Sequence, residues 1–150
     1  MQNIDSSTHT RGESIYLDDI PLINGTLFGV AFGSPIAHGI IKNVDLTAAL
    51  QSEGVVKILT AKDIIGENEI GGIIPDEPLF ANHHVHFIGM PIAFIVAESE
   101  AAARAAIKKI TIEIEPLPVI TDPREAKEKG ELIIPPRTFQ IGNINNIWSD

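Results

Sequence analysis

The sequence predicts an α+β fold, with mixed strands and two main helices arranged in two layers. Three observations carry this. Short Ile- and Val-rich segments occur in an irregular order with helical ones, not in the strict strand–helix repeat of a doubly wound sheet. The string ITIEIE (110–115) alternates apolar and polar residues, as a half-buried strand requires. AAARAAIKK (101–109) is built from strong helix formers. A chain of 150 residues fits one domain, burying roughly two thirds of the surface its unfolded form exposes. Hydrophobic residues make up 44% but aromatic ones only 5%, so the core is expected to be Ile, Val, Leu and Ala.

Taken in order, residues 1–14 read as a flexible or partly extended lead-in. IYLDDIP alternates and stops at Pro21, and Asn24-Gly25 supplies a turn. Thr26 to Phe32 is a strand ended by Gly33-Ser34-Pro35, and Ala37 to Val44 a second one with Gly39 at a bulge. Asp45 caps a helix over LTAALQSE, with Gly54 in its C′ position. Val55 to Leu59 is a β-branched strand. Thr60 and Asp63 form a capping box around one helical turn. GENEIGGIIPDEPLFA (66–81) is a long ordered loop. Val85 to Ala97 holds two strands, or one bent strand, broken at Gly89-Met90-Pro91. Pro91 lacks an amide donor, so the break belongs at an edge or bulge. Ser99 caps the helix from Glu100 to about Lys109, and Ile110, Ile112 and Ile114 share one face of the next strand. Asp122-Pro123-Arg124-Glu125 caps a short helix stopped by Gly130. Beyond Glu131 periodicity fades.

A net charge of −9 and a pI near 4.9 argue against nucleic acid or an anionic membrane as partner, since either needs clustered Lys and Arg. No apolar run approaches the roughly 20 residues of a membrane span, and MQNIDSSTHTRGES lacks the apolar region of a signal peptide. A cytoplasmic location is therefore expected. Without cysteine, disulfides, thiolate ligands and a Cys nucleophile are excluded within these residues.

The candidate chemistry is sparse. His84 and His86 share a strand face with His83 opposite, a pattern that binds Zn²⁺ only with further ligands; Asp76 or Glu77 are the nearest acids to consider. Polar strand-entry residues are the simpler account. Asp18-Asp19 and Asp76-Glu77 pair carboxylates, as a shared proton or cation site would, but each pair lies close before a Pro, as in a solvated turn. Ser34 and His38 lack a nucleophile elbow, and GENEIGG lacks the Lys and helix of a phosphate loop. From the residues alone no catalytic, cofactor-binding or metal residue is assigned.

The segments together say more. YLDDIP (16–21), SPIAHGII (34–41), GVVKILTAKDIIGENEIG (54–71), DEPLFA (76–81), HFIGMPIAFIVAES (86–99) and IEIEPLP (112–118) occur in this order. They closely resemble the start of the molybdopterin-binding large subunit of the xanthine dehydrogenase/aldehyde oxidase family. PREA (123–126) and PPRT (135–138) look most like bacterial xanthine dehydrogenase. The resemblance implies an α/β-hammerhead domain over residues 15–122. Residues 123–150 would then be a short helix and linker toward cofactor-binding domains. It implies an oxidoreductase that hydroxylates purines such as xanthine or hypoxanthine, or aldehydes, with oxygen from water. Electrons would pass from a molybdenum–pterin cofactor through iron–sulfur clusters to FAD, on partner subunits or domains. The family's catalytic and cofactor-binding motifs match no position here. Where the family commonly has Gln in the Gly-x-Pro turn, this chain has Met90, which removes the hydrogen bond of an amide.

The expected role is thus a non-catalytic N-terminal scaffold, with the 66–81 loop as an interface with the rest of the large subunit and its partners. The alternative is a stand-alone binding or assembly module of the same fold. A weaker third reading is a small metal-binding protein using His83, His84 and His86. Met1 directly before the family-like region fits a natural start, whereas the tail QIGNINNIWSD reads as cut. Apolar surface uncovered by truncation would favour a homo-oligomer of the isolated chain.

Overall fold

The computed structural model describes residues 5–132, 134–139 and 141–142. Its elements run α1 (Ser6–Arg11), β1 (Phe28–Gly33), β2 (Gly39–Asp45), α2 (Thr47–Leu50), β3 (Val55–Thr60), β4 (His84–Val85), β5 (Pro91–Ala97), α3 (Glu100–Ile107), β6 (Thr111–Pro116) and α4 (Pro123–Lys129). Two 3-10 turns, Leu17–Asp19 and Ala61–Asp63, lie between them. Contacts divide the chain into two units, with the boundary between Leu117 and Pro118.

The first unit has two three-stranded antiparallel sheets. One is ordered β1-β5-β3, the other β4-β2-β6. β5 is central because PIAFIVA is apolar on both faces: Ile92, Ala93, Ile95 and Ala97 are all buried. Pro91 can open this central strand because it is the first residue and faces Gly33 where the β1–β5 register shifts. β4 and β5 lie only a few residues apart yet join different sheets, so the break at Gly89-Met90-Pro91 separates two strands.

α3 packs on the β1-β5-β3 sheet through Ala103 and Ala106, both fully buried. Alanine on this face lets helix and sheet approach closely, and Ala49 of α2 fills the same core with Ile58 and Ile95. Ala81, Val85, Met90 and Ile92 form a second core under the other sheet, and Phe32 packs against both. Ile110, expected beside Ile112 and Ile114, joins the first core, while those two join the second. Ile110 precedes β6, and the turn out of α3 sets its direction.

The caps follow the residues. Ser99 Oγ accepts from Ala102 N at 3.2 Å, and Asp122 Oδ1 accepts from Arg124 N at 2.7 Å. Asp63 Oδ2 accepts from Thr60 N at 2.9 Å and from the Thr60 hydroxyl at 3.0 Å, which holds its carboxyl below the usual carboxylate range. Ser99→Ala is expected to cost about 1 kcal/mol by chemical denaturation, since Ala102 N then loses its acceptor.

Four details depart from the sequence expectations. Residues 6–11, within the lead-in, form a helix turned off at Gly12. α2 is four residues long, because the chain tightens at Ser52 and must turn through Gly54 to enter β3. LDD of IYLDDIP makes a 3-10 turn within the alternating stretch, because Asp19 Oδ2 accepts from Tyr16 N. Gly39 is not at a bulge; the β2 irregularity falls between Ile41 and Asn43. Glycine is needed at 39 because a Cβ there would come within 2.7 Å of Glu115 O and 2.6 Å of the Ile114 side chain. The second unit holds α4, stopped by Gly130 in a left-handed conformation. Apart from Ile141 and Gly142, the tail QIGNINNIWSD lies outside the described residues, apart from which so do residues 1–4 of the lead-in.

Candidate functional site

The three histidine positions do not assemble as a ligand set. His83 contributes its carbonyl, which accepts from Ile41 N at 2.7 Å. His84 and His86 instead lie on the outer face of the β4-β2-β6 sheet, where Ile40 faces His84 on one side and Glu115 on the other. His38, just before β2, completes the row. Its ring centroid is 5.9 Å from that of His86, and His86 is 6.1 Å from His84, with the rings stacked. Among the described residues no group of three or more His, Asp or Glu side chains is placed to hold a metal ion. Burial, followed by repulsion from His38 and then His84, holds the His86 imidazole below the ordinary histidine range.

Of the carboxylate pairs, Asp18-Asp19 serves a turn through the Asp19 side chain, and Asp76-Glu77 lies in a turn held by the Glu69 carboxylate. Asp19 Oδ2 accepts from Tyr16 N at 2.9 Å. Glu77 donates its main-chain N–H to Glu69 Oε1 at 2.7 Å, and the same oxygen accepts from Gly71 N at 3.0 Å. Ser34, the one buried polar residue among those described, donates its hydroxyl to Ile36 O at 2.7 Å and shapes the turn before β2.

A feature that the sequence left unread lies beside α1. His9 Nδ1 is 2.6 Å from Ser14 Oγ and 3.4 Å from Tyr16 OH, and its ring stacks on Tyr16 in a shallow groove. Nucleophilic catalysis would also need an orienting partner for the imidazole and donors at the oxyanion position. The contacts of the described residues supply neither, so the hydroxyls fix the ring and the segment's path.

The 66–81 loop is held from within. Asn68 donates to Phe80 O at 2.7 Å and accepts from Phe80 N at 2.9 Å, while Ile70 N donates to Glu77 O at 2.9 Å. Phe80 and Ala81 at its end are buried, but Ile70 and Ile73 point outward, Ile73 being 96% exposed, and Ile65 just before the loop is exposed as well. Ile15, Tyr16, Leu17, Leu22 and Ile23 stand exposed along the segment before β1. Single exposed apolar residues are ordinary, but two such groups in one small unit make both segments candidates for a contact surface. Met90, by contrast, turns inward. It is 2% exposed, and its sulfur accepts from His86 N at 3.4 Å, so a weak acceptor remains where an amide was expected to be missed.

The fold and these surfaces define a two-sheet α+β module whose described polar groups work mainly in caps, turns and a sheet face. The model of the aldehyde oxidase and xanthine dehydrogenase a/b hammerhead domain matches residues 11–118. Over 139 residues the chain is 37% identical to xanthine dehydrogenase of Dictyostelium discoideum, covering 93% of this chain and 10% of that protein. Against aldehyde oxidase 1 of Oryctolagus cuniculus it is 37% identical over 141 residues, with coverage of 93% and 10%. The Cu,Mo-CO dehydrogenase structure superposes with a TM-score of 0.70 at 30% identity, covering 84% of this chain and 16% of that one. The chain therefore belongs to the xanthine dehydrogenase/aldehyde oxidase family, and it is a hammerhead domain of these molybdenum hydroxylases. It spans about a tenth of the length of the curated relatives it matches.

The described residues do not fit a molybdenum–pterin cofactor. None of their buried side-chain nitrogen or oxygen atoms lacks a hydrogen-bond partner, and Ser34, the buried polar residue, is engaged by its own turn. A polar cofactor held inside protein needs convergent donors within a cleft, and the groove beside α1 is shallow and exposed.

Proposed function

We propose that this chain is the non-catalytic N-terminal scaffold of a xanthine dehydrogenase-like molybdenum hydroxylase, working in the cytoplasm in purine breakdown. The observation that carries the reading is the pairing of an internally fixed loop with outward apolar side chains at Ile70 and Ile73, next to the exposed Ile65. A loop whose backbone is already ordered loses little entropy on docking, so its apolar tips can contribute binding energy. The docked surface belongs to the cofactor-bearing remainder of the enzyme, on the same polypeptide or a partner subunit.

The purine assignment is supported by the Dictyostelium discoideum relative, which is a xanthine dehydrogenase, and by PREA and PPRT in this sequence. On this reading the complete enzyme replaces a ring C–H hydrogen of the purine with a water-derived hydroxyl, releasing two protons and two electrons. A molybdenum–pterin cofactor held elsewhere in the assembly would supply the redox chemistry, with iron–sulfur clusters and FAD as its electron carriers. This chain binds no cofactor and holds no reacting atom. The acidic surface is suited neither to nucleic acid nor to an anionic membrane, and among the described residues no helix is long and apolar enough to cross a membrane.

The test is the double substitution Ile70→Lys with Ile73→Lys. Both side chains are exposed, so the variant's stability should stay within about 1 kcal/mol of the parent. Recovery of tagged chain in a heavier molybdenum-containing complex from source cells should fall at least about tenfold, equal to roughly 1.4 kcal/mol of binding. Undiminished recovery would remove the loop from the interface.

A further inference from the structure

We propose that His38, His84 and His86 form an acid-sensitive latch that joins β4 to the start of β2 at neutral pH and releases it on protonation. The inference is independent of the enzyme assignment and rests on where the sheet puts three imidazoles. β4 is two residues long, paired to β2 only through Gly39 with Val85 and Ile40 with His84. The His83 carbonyl adds one bond from Ile41 N. His38 and His86 sit just past the end of this ladder, and the row His38–His86–His84 is stacked at about 6 Å spacing. Neutral imidazoles can stack in this way; three imidazolium rings at the same spacing repel one another.

The neighbouring charges do not relieve this repulsion at His86. The charged groups that act on it are His38, from the turn before β2, and His84, from β4. On the same sheet face Glu115 of β6 is bound to Lys42 of β2 at 2.5 Å. That carboxylate is engaged with a cation of its own strand neighbour. The sign follows from proton binding. With the folded-state affinity of His86 for protons below that of the unfolded chain, the unfolded or opened form binds more protons as pH falls. The contribution of the latch is complete above the ordinary histidine pKa. It declines as pH drops through that value toward the lower folded one. The core face of the same strands, with Val85 fully buried and Ile41 and Ile114 packed on it, stays apolar and does not titrate. Opening is therefore local to residues 83–88, with exposed Phe87 and Ile88, and ends at Gly89, whose N–H is held by Ser34 O at 2.8 Å.

The experiment is an NMR titration of the whole chain from about pH 8 to about pH 5, spanning the ordinary histidine range. Imidazole signals report protonation. Hydrogen exchange of the Ile41 amide, corrected for its intrinsic pH dependence, reports opening. The expected result is that Ile41 protection falls at least about tenfold as His86 protonates, while the Ile58 and Ile95 amides keep theirs. In the variant His84→Asn with His86→Asn, both exposed positions, Ile41 protection should change less than about twofold over the same range. Protection of Ile41 that persists after all three rings are protonated would overturn the latch, as would an equal fall in the variant.

Discussion

Ile95→Ala is expected to destabilise the chain by about 2–5 kcal/mol and to lower its midpoint of thermal unfolding by about 5–15 °C. Ile95 is fully buried, on the central strand of its sheet, between β1 and β3 and in the core that α3 covers. Its cross-strand partners are Val30 and Ile58, and the helix face over that core is alanine. Alanine side chains cannot swing into a vacated space, so truncation leaves a cavity that relaxes poorly. The comparison is Ile73→Ala at a 96% exposed position, which should move stability by less than about 0.5 kcal/mol. Denaturant unfolding of both variants checks the core assignment. Equal effects would mean that the first core is not where the sheet places it.

Asn68→Ala carries the second large effect, and it acts on the loop proposed as the interface. Asn68 makes two bonds to the main chain of Phe80, which is itself buried. Alanine leaves both the Phe80 N–H and carbonyl without partners, at a cost of about 2–4 kcal/mol. Because these bonds close a loop of a dozen residues, much of the loss should appear locally, as protease cleavage within 66–80 before the rest unfolds. Asn68→Asp retains an acceptor for Phe80 N and removes the donor to Phe80 O, so it should fall between parent and Ala. If the Ala variant resists cleavage as the parent does, the loop is ordered by other contacts.

Local features were legible because they are written in neighbouring residues. Ser99, the Thr60–Asp63 box and Asp122-Pro123 are caps whose partners lie two or three positions away. The order of strands was legible too, and the 66–81 stretch was expected as an ordered loop. What could not be read is what depends on register. His38 meets His86 only because Gly39 pairs with Val85, and no periodicity near either histidine encodes that pairing. Likewise β4 and β5 separate into different sheets because Gly89 packs its backbone against the turn after β1, donating its N–H to Ser34 O at 2.8 Å. The inward turn of Met90 has the same non-local origin, being set by a core drawn from several strands.

The family resemblance was legible through ordered segments, whereas the local roles of the polar residues needed the structure's account of where each group goes. Asp19, Ser34, Glu69 and Asn68 all hold turns or loops. Polar residues that shape loops leave the unit ordered before docking, which is what a scaffold for a larger enzyme requires.

The most direct test is to immunoprecipitate the native product from source-cell lysate with an antibody to this domain and measure its native mass and molybdenum content. The scaffold reading predicts a species several times heavier than the 16.2 kDa of this chain, enriched in molybdenum and active on xanthine. A species of the chain's own mass without molybdenum would contradict it and identify a stand-alone binding module.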